Sequence, residues 1–376
     1  MWRRLTSVFS LLLLAGCAEA PSSEQFGGSR AGAVLTESEP ATDSEPFAQV
    51  SPDSTIELPR DHGPHPAFRQ EWWYWTFALW RDQGQAPPLG RPAEFGAQLV
   101  FFRRAVSPRP DPEGWRATQV YMSHFAVTNV AAGAHRLHEA LSRKVPGLAH
   151  AQGDPFSLRL PGASVRSVGD TFSPLLLTAK GGGAGVDLRL ESAEAVILQG
   201  DEGYSAKSEQ AASHYYSIPR MSVQGSLDWD GRQVPVVGWA WLDREWSTQP
   251  LPQGLVGWDW MALMLEDGSE LMLYQLVRES GERDAFNYAV HRDAAGNTRK
   301  FTSHEFSMLP RREVRFDGDT YVVAWQVELD GTGAYFVEAA VDDQLMRTSV
   351  RYWEGLVRVS DLNGEYLGDG YLEMTR

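Results

Sequence analysis

The chain has a single cysteine, Cys17, so its folded part has neither a disulfide nor thiol chemistry to draw on. Base is scarce as well. Lys and Arg number 34 against 49 Asp and Glu, a formal net charge of −15, which argues against nucleic acid and against adhesion to an anionic membrane surface. The apolar stretch Leu5 to Leu14 is too short to cross a bilayer as a helix, which takes about 20 residues. Common catalytic signatures are missing. No Gly-x-Ser-x-Gly elbow occurs, and His138-Glu139 and His304-Glu305 both lack the second histidine of a zinc-protease motif. Gly181 to Gly185 has the glycines of a phosphate loop without its Lys-Ser/Thr, and reads as a hairpin loop before Val186 to Leu190. His135 and His138 have a spacing that would bind metal on a helix, but with no third ligand they read as surface residues. No metal and no cofactor are expected, and nothing sets an oligomeric state.

What is present begins with an export signal. Trp2-Arg3-Arg4 precedes the apolar stretch, and Leu14-Ala15-Gly16-Cys17 resembles a bacterial lipobox, in which cleavage exposes the cysteine for lipid attachment. Residues 1–17 are therefore expected to be a lipoprotein signal. Its lipid would tie the chain to a membrane in the bacterial cell envelope, and Ala18, rather than Asp, leans towards the outer membrane with the protein facing the periplasm. Residues 18–60 carry eight acidic residues against two arginines and few large apolar side chains, so they are expected to form a disordered tether. The 316 residues that follow exceed what one core usually organises.

Short alternating runs recur along those residues. Glu94 to Arg103, Thr118 to Asn129, Val234 to Asp243, Val256 to Glu266, Glu270 to Arg278, Tyr321 to Leu329, Ala334 to Val341 and Tyr352 to Val359 read as strands. Asp230-Gly231, Asp267-Gly268, Asp317-Gly318, Asp330-Gly331, Asn363-Gly364 and Asp369-Gly370 read as hairpin turns. Helical period shows only weakly, around Ala134 to Lys144. The fold class is all-β, an antiparallel sandwich or barrel. A barrel of about eight strands can hold one small ligand inside.

Nine of the fourteen tryptophans fall in two segments, Glu71 to Trp80 and Gly238 to Trp260, where rings alternate with carboxylates. Buried indole needs an N–H partner, so this clustering suits a pocket with apolar walls and a few placed polar groups. Period 2 puts Trp239, Trp241, Asp243 and Glu245 on one strand face. It puts Trp258 and Trp260 on one face with Asp259 opposite, and Trp73 and Trp75 opposite Trp72 and Tyr74.

His65-Pro66-Ala67-Phe68-Arg69-Gln70-Glu71-Trp72-Trp73-Tyr74, then Gln98 to Arg103, Ser123-His124-Phe125-Ala126, Trp241 to Gln249, and Gly257-Trp258-Asp259-Trp260 follow in order. Together, over roughly residues 60 to 376, they resemble the hydroxyneurosporene synthase (carotenoid 1,2-hydratase) and AttH family of lipocalin-like proteins. The resemblance implies two consecutive lipocalin-like antiparallel β-barrel domains, here 61–248 and 249–376. Its hydratase branch adds water to an isolated double bond, which needs a protonated acid and aromatic faces for the cation. Where those hydratases look like Asp-His-x-Trp, this chain has Asp243-Arg244-Glu245-Trp246. An arginine gives up no proton and would hold a neighbouring carboxylate ionised.

Two readings follow. In one, a lipid-anchored carrier encloses an extended apolar molecule, lipid or isoprenoid-like, inside a Trp-lined barrel. Its expected ligand contacts are Glu71, Trp73, Trp75, Gln98, His124, Trp239, Trp241, Arg244, Trp246, Trp258, Trp260 and Tyr274. In the other, a hydratase or secreted hydrolase acts on such a molecule, with Asp259, Asp243 and Glu245 as catalytic carboxyls and Asp259 the leading acid. Plainer roles stand beside both: an ion-pair cluster at Asp243, Arg244 and Glu245 pinning the domain junction, Glu71 paired with Arg69 or Arg103, and His124 as a hydrogen-bonded core residue.

Overall fold

The computed structural model describes residues 46–88, 90–108, 117–192, 196–249 and 251–375. The expected signal, Cys17 and residues 18–45 lie outside the described residues. Residues 46–60, expected to end the tether, are instead strapped onto the first barrel. Phe47 and Val50 are buried and Ile56 packs on the core. The Thr248 hydroxyl donates to the Ala48 carbonyl at 2.6 Å. Three apolar side chains are enough to dock a polar segment once a ready-made apolar surface lies beside it.

The first sheet contains β1 (Gln70–Arg81), β2 (Phe95–Ala105), β3 (Gln119–Asn129), β4 (Ala134–Arg143), β5 (His150–Gln152), β6 (Ser157–Leu160), β7 (Ala163–Ser167), β8 (Leu175–Gly181), β9 (Ala184–Glu191), β10 (Ile197–Leu198), β11 (Tyr204–Ala206), β12 (Ala212–Trp229) and β13 (Arg232–Ser247). The second contains β14 (Leu255–Leu265), β15 (Glu270–Arg278), β16 (Tyr288–Arg292), β17 (Thr298–Thr302), β18 (Phe306–Phe316), β19 (Asp319–Leu329), β20 (Gly333–Ala339), β21 (Leu345–Arg347), β22 (Arg351–Ser360) and β23 (Tyr366–Met374). All pairings are antiparallel. The first runs β4-β3-β2-β1-β13-β12-β9-β8-β7-β6-β5 and the second β17-β16-β15-β14-β23-β22-β20-β19-β18. Each curls into a half-barrel, giving two consecutive lipocalin-like domains. The chain passes from one to the other between Ser247 and Leu255.

Most of the expected turns join neighbouring strands. Asp369-Gly370 does not; it lies inside β23. A Cβ on Gly370 would stand 2.3 Å from the Ala262 carbonyl oxygen, so glycine there serves close approach to β14 rather than a turn. The weak helical period at Ala134 to Lys144 is also corrected, since β4 occupies it. This is an edge strand, half-buried along most of its length, and without one buried face it shows no clean alternation.

Alternation decides what each sheet faces. Odd residues of β1 (Trp73, Trp75, Phe77, Leu79) and even residues of β13 (Ala240, Leu242, Trp246) fill the first barrel. Met261, Leu263, Leu271, Leu273, Trp325 and Trp353 fill the second. The opposite faces pack against each other over much of their area. Tyr74, Ala78, Trp80 and Trp241 pack against Trp260, Ala262, Met272, Leu356 and Tyr371 of the other sheet. Gly96 permits this approach, because a Cβ there would stand 2.7 Å from the Leu356 Cβ. Burying such side chains is worth about 1.5–3 kcal/mol each. The barrels are joined through their outer walls.

Candidate functional site: a cleft between the barrels

A recess opens in this junction. It has about 1100 Å³ of empty space counted out to its solvent-open mouth. The sequence suggested a cavity inside a barrel; this recess lies between the two instead. Both interiors are packed with the side chains named above, whereas the two outer faces, each carrying rings and acids, leave room where they meet.

Register assembles the site. Antiparallel pairing sets Tyr74 beside Asp243 and Trp72 beside Glu245 on the first sheet. It sets Glu354 beside Glu373 on the second. Trp72, Tyr74, Phe102, Trp258, Trp260 and Tyr274 contribute aromatic walls, and the four carboxyls project among them. Among the described residues, none of those lining the cleft is a histidine.

Burial governs the charge of these acids. It pushes Asp243 up to about 7, against hydrogen bonds donated by Ser217 (2.5 Å), Trp241 Nε1 (2.6 Å) and Tyr215 (2.6 Å). Glu373 is likewise pushed up to about 7 by burial, although Trp258 Nε1 donates to it at 2.9 Å. Glu354 is raised well above the usual carboxylate range by burial and then by Glu373. The Tyr74 hydroxyl donates to Glu354 Oε1, while Oε2 has no hydrogen-bond partner among the described residues. A buried carboxyl whose protonated form is favoured, with one oxygen free in an aromatic recess, has the chemistry of a proton donor. Lys207 stands at the rim, 3.6 Å from Glu245 and 4.1 Å above the Tyr274 ring. Burial disfavours its charge, but Glu245 and Tyr274 outweigh that and raise its pKa.

The residues expected from sequence separate into distinct places. Asp243, Glu245, Trp258, Trp260 and Tyr274 line the cleft. Trp241 lies beneath it, holding Asp243, and Trp239 lies further along the same face under Arg220. Gln98 is buried in the junction against Met346, and His124 is buried behind Tyr352, whose hydroxyl it meets at 2.8 Å. Asp259 does not reach the cleft. Its strand turns it to the far face, where Gln275 Nε2 donates to it at 2.8 Å.

Glu71, Arg244, Trp73 and Trp246 also sit apart, at the end of the first barrel, and Trp75 is in that barrel's core. Burial alone would raise Glu71; Arg103 and Arg244 outweigh it and hold it well below the usual range. Arg244 lies over the Trp73 and Trp246 rings at 4.0 and 5.0 Å and donates to the Gly63 carbonyl at 2.6 Å. Its guanidinium therefore holds Glu71 ionised, not its sequence neighbours Asp243 and Glu245. His135 and His138 are on a strand, and a Cβ at Gly181 would stand 2.1 Å from the His138 ring. His138 therefore packs on a glycine, while His135 is largely buried against Thr128 and Met346. Neither is the plain surface residue expected. Among the described residues, no group of three or more acidic or histidine side chains is placed to hold a metal ion.

Sequence reasoning missed Glu354, Glu373, Tyr74, Tyr215 and Lys207. A signal existed: an aromatic and an acid two residues apart, on one strand face, recur as Trp241-x-Asp243, Tyr352-x-Glu354 and Tyr371-x-Glu373.

Comparison with known proteins agrees with this architecture. An AttH protein of Nitrosomonas europaea is 32% identical, superposes with a TM-score of 0.76, and matches over 88% of this chain and 99% of its own. Kievitone hydratase of Nectria haematococca is 14% identical with a TM-score of 0.64 over 88% of this chain and 96% of its own, a likeness of fold. No curated protein matches the sequence. The AttH-like family model matches residues 49–376, and the chain belongs to that family.

Proposed function

We propose that an extended apolar molecule binds in the cleft between the barrels, and that the chain adds water across an isolated carbon–carbon double bond in it. One observation carries the reading: Glu354, a buried carboxyl raised well above its ordinary range, keeps a free oxygen among aromatic rings. Kievitone hydratase, a hydratase by name, shares the fold and supports the reaction class. Arg244, which stands where the hydratases look to have histidine, points out of the cleft and is no obstacle to a neutral acid there.

In this scheme Glu354 Oε2–H gives its proton to the less substituted alkene carbon, breaking the O–H and π bonds and forming a C–H bond. The Trp260 and Tyr74 rings face the resulting tertiary cation. Water forms the C–O bond, and its surplus proton passes to Asp243, whose pKa near 7 suits a base at neutral pH.

The test is incubation with geranylacetone in ¹⁸O-water, read as a labelled tertiary alcohol by mass spectrometry. We expect Glu354→Gln to lower turnover by about 10²- to 10⁴-fold. Undiminished turnover in that variant removes Glu354 from the chemistry. A carrier, the second reading favoured by the aromatic lining, would yield an unchanged apolar molecule by native mass spectrometry and no labelled product from either protein.

A further inference from the structure

Lys207 is the one cationic side chain among the described residues that line the cleft. It follows β11, and its backbone N–H donates to the Ala211 carbonyl at 2.7 Å, which fixes it at the rim. Its side chain is 18% exposed, so water reaches the ammonium only from the cleft mouth. An ammonium has three donors. One goes to Ser205 Oγ at 3.1 Å, while the Glu245 carboxylate stands at 3.6 Å, longer than a hydrogen bond. The Tyr274 ring centre is 4.1 Å away. From there rings lead across the cleft. Tyr274 is the cross-strand neighbour of Trp260, the Trp260 and Tyr74 ring centres are 5.3 Å apart, and the Tyr74 hydroxyl donates to Glu354. Lys207 and Glu354 thus stand at opposite ends of a row of three rings.

A pure hydrocarbon filling the cleft would strip that water from the ammonium and leave donors unmet, which is costly for any buried polar group and more so for a charged one. We propose that the bound molecule brings its own acceptor: it is amphipathic, with a neutral carbonyl or similar oxygen held by Lys207 at the rim and its isolated double bond at the far end of the ring row, beside Glu354. The inference rests on the cleft being the place where the apolar molecule binds. A neutral oxygen fits the rim better than an anion. Glu245 already balances the ammonium, and Asp243 and Glu373 line the same cleft, so a carboxylate head would meet more acid than base there. Lys207 is a specificity-determining residue in this scheme. It does not touch the reacting carbons; by holding the opposite end of the chain, it sets which double bond of a polyene lies beside the acid.

The experiment reads binding to the full chain and needs no turnover. Three ligands share one carbon skeleton: geranylacetone, the hydrocarbon with a methylene in place of its carbonyl, and geranylacetic acid. Affinities are read from tryptophan fluorescence, and the carbonyl of bound geranylacetone is read from its infrared band. We expect that band to move to lower frequency in the parent, as a carbonyl does on accepting a hydrogen bond from a cation. Lys207→Met should abolish the shift and weaken geranylacetone about ten-fold or more, while holding the hydrocarbon within about two-fold of the parent. An unshifted band in the bound parent overturns the assignment, and this measurement needs no variant to fold. So does a ratio of ketone to hydrocarbon affinity that Lys207→Met leaves unchanged, which would make Lys207 only a wall of the cleft. Geranylacetic acid bound more tightly than the ketone at pH 8 overturns the neutral head group. A parent that binds neither ketone nor hydrocarbon sinks the cleft reading itself, whereas both bound, with the band unshifted, sinks the Lys207 inference alone.

Discussion

Asp243 and Arg244 are consecutive residues, yet strand alternation sends one into the cleft and the other into the end of the first barrel. Around Asp243 the neighbours are rings, hydroxyls and other acids, and burial raises its pKa to about 7. Around Arg244 they are Glu71, Arg103, His65 and two indoles, and there the acid is held well below its ordinary range. Burial is nearly equal on the two faces: Asp243 is 2% exposed and Glu71 is 0%. What differs is the counter-charge. A buried carboxyl with guanidinium partners is a fastener, and one with only neutral donors is a group that can exchange a proton near neutral pH.

The largest effect that tests this contrast is expected at Arg244. Replacing it with Met leaves the Glu71 carboxylate with only part of its counter-charge in a dry site, and breaking such a pair costs about 3–5 kcal/mol. Urea unfolding measures it. The strap at 62–65, which Arg244 and Trp73 fasten through the Gly63 and His62 carbonyls, should become protease-sensitive first. A variant as stable as the parent would mean that the fastener description is wrong.

A smaller effect is expected at Asp243, and its sign follows from linkage. The folded pKa is raised from an ordinary 3.8 to about 7, so the folded state holds the proton more tightly. That contribution is complete below pH 3.8 and is lost as the pH climbs through about 7. Asp243→Asn cannot titrate, so its stability relative to the parent should improve by a few kcal/mol between pH 4 and pH 8. Glu71 behaves oppositely, supporting the fold at neutral pH and losing that support as the pH falls. A parent-to-variant difference independent of pH would place Asp243 with the fasteners.

These two neighbours also mark how far the sequence could be read. Period 2 correctly separated Asp243 from Arg244 and placed Asp259 opposite Trp258 and Trp260. Strand runs such as Glu270 to Arg278 and turns such as Asp267-Gly268 are visible because hairpins are local. The location of the cleft was not legible. Both faces of β1 and β13 are apolar and ring-rich, so alternation tells which residues go together but not which set meets a cavity. That is decided by β14, β22 and β23, which bring Glu354 and Glu373 opposite Asp243 from more than a hundred residues away. Arg244 misled for a related reason: the partner it holds ionised is Glu71, across the sheet and 173 positions distant, rather than the acids beside it.

Trp258 offers the smallest and most local test of the contrast. Its indole N–H is the donor to Glu373 Oε2, and this neutral bond works against the burial that raises Glu373. Trp258→Phe keeps an aromatic ring at the position and deletes the donor, so the Glu373 pKa should climb by about one unit. The substitution weakens the ionised form alone. It should therefore cost about 1–2 kcal/mol more at pH 8, where Glu373 is mostly ionised, than at pH 5, where it is mostly protonated. Equal cost at both pH values would mean that Glu373 stays neutral throughout, or ionised throughout. In the second case the second barrel's acids would belong with Glu71, and the division between a fastening face and a proton-exchanging face would fail at the carboxyl nearest Glu354.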